Sequence, residues 1–144
     1  RWTATLGYAG LLPQAAAVAL IAGGSDLQWS ALAAAFGYAA LIFSFLGGIW
    51  WGQAVMAPSA PGWVAGVAVA PSLIAFAAYL PWIWGLDWPG PSLVLIGLAL
   101  LASPLVDRRL APLFGLAPEW LLLRFRLSAG LGLLTLAAAA LAPR

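Results

Sequence analysis

Ten side chains in this sequence carry formal charge: Asp26, Asp87, Asp107 and Glu119 against Arg1, Arg108, Arg109, Arg124, Arg126 and Arg144. Carboxylates buried in an apolar segment would point to proton relay or cation transport. Here each acid falls in a break or at the end of an apolar run, so all four read as solvated loop acids. Aspartyl proteolysis needs two facing acids, and serine chemistry needs a base. The sequence supplies neither pattern, and it contains no His and no Cys. Zinc sites, thiolate nucleophiles, disulfides and His-ligated haem go with them. The one thioether is Met56. The expectation is a non-enzymatic chain that holds no metal, porphyrin or chlorophyll through a side-chain ligand.

The arginines are better placed for contact than for catalysis. Arg124 and Arg126 are the only charges inside an apolar run, near its start at Trp120. Spaced by two, they point in different directions around a helix and cannot form one clamp. From that depth both guanidinium groups can snorkel to the interface. They then serve as anchors to anionic lipid or join Arg108 and Arg109 in a basic pocket for a phospholipid headgroup. Between the two pairs, residues 110–118 are apolar, too short to span and broken by prolines. They read as a short interfacial segment.

The elements that must position these groups are set by composition. Of the 144 residues 65% are hydrophobic and 7% charged, and the mean hydropathy is +1.02. A soluble domain carries about 25% charged residues, so the solvent here is lipid. Soluble enzymes and nucleic-acid partners are excluded on that ground. The net charge of +2 reflects membrane topology rather than a phosphate-binding surface. A span of hydrocarbon needs roughly 20 apolar residues in a helix, and five stretches qualify or nearly so: residues 3–22, 29–56, 63–80, 92–106 and 120–141. No leader-type cleavage pattern follows the first stretch, which reads as a span. The fold class expected is an all-α integral membrane protein, one bundle of five transmembrane helices over residues 1–144.

Arg108, Arg109, Arg124 and Arg126 flank the connection between the last two spans, which places that connection inside. Alternation then sets the N-terminus inside and the C-terminus outside. The nine tryptophans fit this arrangement, since indole favours the interface. Trp2, Trp63 and Trp120 fall at inner ends, and Trp29, Trp82, Trp84 and Trp88 at outer ends. Trp50 and Trp51 lie one to two turns from an inner end.

The second span carries Ala40, Ser44, Gly48 and Gly52 at four-residue spacing. Such a stripe lets another helix approach closely, or lines a ligand crevice. Gln53, one residue on, is the nearest uncharged polar side chain able to bond a ligand or a partner's backbone. Pro13, Pro71 and Pro104 sit inside apolar runs and each frees a carbonyl one turn back. In lipid that carbonyl needs a donor, from a neighbouring helix or from Ser72 or Ser103.

Leu6-Gly7-Tyr8-Ala9-Gly10-Leu11-Leu12-Pro13, Ser44-Phe45-Leu46-Gly47-Gly48-Ile49-Trp50-Trp51-Gly52, Pro71-Ser72-Leu73 and Asp107-Arg108-Arg109 together resemble the transmembrane-protein-69-like family of bacterial and mitochondrial membrane proteins. The resemblance runs over nearly the whole chain and implies the polytopic architecture without transferring any catalytic residue. That family commonly carries a polar or basic residue where Trp50 stands, so this chain departs from it there. The functional expectation is a non-catalytic accessory subunit or assembly factor of a respiratory or photosynthetic complex. Its partners would be other transmembrane subunits and phospholipids. The alternative is a small lipophile-binding or transport protein of the Trp-rich five-helix translocator type, although the Trp-Pro-Pro signature of those proteins is missing. A peripheral lipid, quinone or pigment would rest on aromatic faces or bond Gln53 or a freed carbonyl. The setting expected is the bacterial inner membrane rather than the mitochondrial one.

Overall fold

With no water to satisfy backbone N–H and C=O groups, an apolar run in lipid must bond within itself, and a helix is how one segment does so. The computed structural model describes residues 2–24, 26–85 and 89–143. The expectations placed on Arg1, Asp87, Trp88 and Arg144 lie outside them. Among the described residues six helices follow one another: α1 (Trp2–Ala9), α2 (Leu12–Ala22), α3 (Gln28–Met56), α4 (Gly62–Ile83), α5 (Gly90–Phe114) and α6 (Pro118–Leu141). Counting α1 and α2 as one interrupted span, five helices are long and apolar enough to cross a membrane.

Two boundaries differ from the sequence expectation, and both involve proline. The third span does not stop at Pro81, because α4 runs through Pro71 and Pro81 to Ile83. The fourth is 25 residues long rather than 15, because α5 passes through Pro104 and Pro112. Residues 110–114 therefore extend α5 instead of forming a segment separate from it. The helix ends at Gly115, whose φ of 62° is left-handed and costs glycine nothing. Proline removes one donor and leaves the rest of the ladder intact. At Pro104 the freed acceptor is Leu100 O, and the Ser103 hydroxyl donates to it at 2.7 Å, as the sequence suggests. Ser72, the other candidate donor, is exposed.

The first span is broken where Gly10 and Leu11 turn ahead of Pro13. The Tyr38 hydroxyl donates to Gly10 O at that break. Beyond it, α2 packs between α3 and α6, while α5 and α6 form an antiparallel hairpin and α4 lies against α3 and α5. Gln14 on α2 is fully buried. Its Nε2 donates to Ala35 O at 3.0 Å and to Thr135 Oγ1 at 2.9 Å. The Thr135 hydroxyl in turn donates to Leu131 O at 2.7 Å. One amide thus ties α2 to both α3 and α6.

Helices α3 and α4 meet most closely at Gly47. A Cβ built there would lie 2.5 Å from Ala68 O and 3.1 Å from the Pro71 ring, so only glycine fits. Of the small-residue stripe, Ser44 and Gly48 border a hollow against Ala68, Val69 and Ser72 of α4. Gly48 and Gly52 are exposed, with nothing within 4 Å of an added Cβ, and Ala40 and Ser44 are half-buried. Between α3 and α4 the close approach therefore belongs to Gly47, one position before Gly48.

Candidate functional site

Asp107 and Arg124 sit eight residues before and nine residues after Gly115, which brings them face to face across the α5–α6 hairpin. Neither is where the sequence reading puts it. Asp107 is not a solvated loop acid but a buried helical residue, and Arg124 does not reach for the interface. Arg124 Nη2 stands 3.0 Å from Asp107 Oδ2. That contact lies off the hydrogen-bonding direction, so it is a pairing of charges rather than a directed bond. The other carboxylate oxygen, Oδ1, accepts a 2.9 Å hydrogen bond from Trp50 Nε1. Trp50 therefore turns inward and closes the ion pair from α3, unlike the exposed Trp51 beside it. An isolated charge in lipid is expensive, and pairing removes the net charge.

A one-way chain of hydroxyls continues from the guanidinium. Arg124 Nη1 donates to Ser128 Oγ at 3.0 Å. Ser128 and Ser103 Oγ lie 3.0 Å apart. Ser103 has a single hydroxyl hydrogen, already directed to Leu100 O, so Ser128 is the donor between the two serines. In the run Arg124, Ser128, Ser103, Leu100 O neither serine is paired with a carboxylate. Donor and acceptor accounting leaves Arg124 Nε buried and without a hydrogen-bond partner.

The other arginines of the expected basic pocket are not drawn in. Arg108, Arg109 and Arg126 are exposed, so Arg124 alone of the four enters the bundle and no four-residue pocket is formed. Asp26 and Glu119 are exposed as expected. Gln53 is half-buried at the edge of a separate hollow beside Met56, Leu113 and Phe114, and its Oε1 has no partner. Among the described residues, no three acidic side chains cluster closely enough to hold a metal ion.

Arg124 and Ser128 line a half-open cavity of about 520 Å³ between α1, α3 and α6. Its walls are otherwise almost entirely apolar: Leu6 and Gly7 from α1, Ile42 and Phe45 from α3, Leu127 and Leu131 from α6. Trp2 and Trp120 flank it and Leu100 of α5 contributes to its floor. Leu6 and Phe45 are exposed, which opens the rim toward lipid. Helix α1 buries none of its residues, and it joins α2 through the Gly10–Leu11 turn. Small-molecule sites are clefts of roughly 300–1,000 Å³ with apolar walls and a few fixed polar groups. This cavity has that size and that composition.

The cavity was not legible from the sequence, but the ion pair left a trace. In an antiparallel hairpin, residues equidistant from the turn oppose each other. Asp107 with Arg124, and Ser103 with Ser128, satisfy that relation about the same point near Gly115.

A family described as "Protein of unknown function (DUF3429)" matches residues 1–140. No curated protein and no solved structure matches the chain.

Proposed function

We propose that this chain, which belongs to the DUF3429 family, is a non-catalytic multi-pass membrane protein that holds a lipophilic molecule beneath α1. The observation that carries this reading is the 520 Å³ apolar cavity with a buried arginine in its wall. A lipid-facing rim lets a guest enter sideways from the bilayer. The unburied α1, hinged at Gly10–Leu11, provides the movable cover. The test is extraction of the purified protein followed by mass spectrometry of the lipophiles that accompany it. One molecule per chain should be enriched over bulk lipid and lost in Ile42→Trp, whose ring fills the cavity. Identical lipid profiles from both proteins would dispose of the reading.

A second reading is the accessory subunit or assembly factor of a respiratory or photosynthetic complex. It draws support from the open space above Gly48 and Gly52, where another transmembrane subunit would meet the backbone of α3 closely. Under this reading Gly48→Leu removes a stoichiometric partner from the native complex and leaves the chain's own thermal unfolding unchanged.

We place the N-terminus inside and the C-terminus outside a bacterial inner membrane, with the exposed Arg108, Arg109 and Arg126 against anionic headgroups. Reporter fusions at the two termini should then respond on opposite sides. Responses on the same side would contradict an odd number of crossings.

A further inference from the structure

We propose that the guest is a neutral lipophile bearing a carbonyl-type acceptor, seated with that oxygen toward Arg124. The proposal rests on the cavity reading above and specifies its chemistry. Three observations restrict the guest.

The first is the balance of donors and acceptors in the wall. Arg124 offers a buried Nε–H with no partner. Of the other polar side chains that line it, Trp2 and Thr3 are exposed and Trp120 is half-buried, which leaves two hydroxyls deeper in the wall, both engaged. The Tyr38 hydroxyl donates to Gly10 O, and Ser128 Oγ already receives Arg124 Nη1. Asp107 holds the guanidinium from α5 and does not line the cavity. The wall therefore presents an unused donor and asks for an acceptor, because a buried unmade hydrogen bond costs free energy.

The second is charge. Asp107 and Arg124 cancel, and both are buried. A carboxylate or phosphate guest would leave one uncompensated negative charge in the bundle, or would have to displace Asp107. Each alternative carries a large desolvation cost. A cationic guest would face the guanidinium directly. A neutral carbonyl, as in an ester, ketone or quinone, takes the free N–H and adds no charge.

The third is depth. Arg124 lies six residues into α6, or about 9 Å along the helix at 1.5 Å per residue. The donor therefore sits below the end of the helix, beside the apolar walls, where an acyl or isoprenoid tail can extend past Ile42 and Leu131.

Three brominated probes of equal chain length serve as the test: a fatty-acid methyl ester, the corresponding free acid and the alkane. Each is titrated into the full chain in a neutral maltoside detergent at pH 8. Quenching of tryptophan fluorescence is followed and corrected with Trp120→Phe. The ester should quench saturably at one equivalent and bind about tenfold more tightly than acid or alkane, as expected for a hydrogen bond from a charged donor. In the double variant Asp107→Leu with Arg124→Met, ester and alkane should bind alike. Equal binding of ester and alkane to the native chain, or tighter binding of the acid, overturns the carbonyl assignment and leaves the cavity reading in place. Failure of all three probes to saturate overturns the cavity reading itself.

Discussion

Asp107→Leu alone is expected to destabilise the bundle by about 3–5 kcal/mol, the range for leaving a buried charge without its partner. The substitution strands the Arg124 guanidinium at 4% exposure and removes the acceptor of Trp50 Nε1. Arg124→Met alone should cost a similar amount, because it strands the carboxylate and also breaks the link to Ser128. Joined in one chain, the two changes should recover most of the loss, since apolar pairs of similar volume replace buried ion pairs at little cost. Thermal unfolding of the four proteins in detergent gives the coupling directly. Simple additivity of the two single effects would show that the charges do not depend on each other.

Gly47→Ala is expected to cost about 1–3 kcal/mol by overpacking, while Gly48→Ala and Gly52→Ala should be neutral or slightly stabilising. The difference is steric. The methyl group at position 47 would meet a backbone oxygen at 2.5 Å, and a carbonyl on a neighbouring helix cannot rotate away. At positions 48 and 52 the same methyl meets open space and brings the helix propensity of alanine, worth about 1 kcal/mol over glycine. Unfolding midpoints of the three variants test the contrast. Equal loss at all three positions would mean that the stripe, not Gly47, carries the contact.

These two expectations mark where sequence reasoning holds and where it stops. The helical spans are legible because apolar length in lipid leaves the backbone few alternatives. Helix ends are less so. Pro81 and Pro112 look like terminators, yet α4 and α5 continue through them, since lipid provides no better partner for the flanking backbone. The small-residue spacing correctly draws attention to α3, but rotation about a helix axis is not written in a four-residue period. One position separates Gly47 from Gly48, and that step of about 100° decides which of them meets α4. Asp107 is misplaced for a related reason. Its neighbours Arg108 and Arg109 suggest a loop, and only the hairpin geometry around Gly115 shows that it faces the opposite way. The cavity depends on the break at Gly10–Leu11, which displaces α1 from α2, and no local pattern announces the resulting space.

The Gln14 amide has a consequence for the order in which the protein is made. Chains are synthesised and inserted from the N-terminus, so the first span enters the bilayer with a polar group at its centre. Its backbone partner lies 21 residues downstream and its hydroxyl partner 121 residues downstream, on the last helix. Until α6 arrives, Gln14 lacks its hydroxyl partner and Asp107 its guanidinium, while Ala35 O and Trp50 Nε1 are already in place on α3. A chain cut short before α6 would therefore hold two half-matched polar groups at depth, on separate helices. Completion of α6 supplies both missing partners at once.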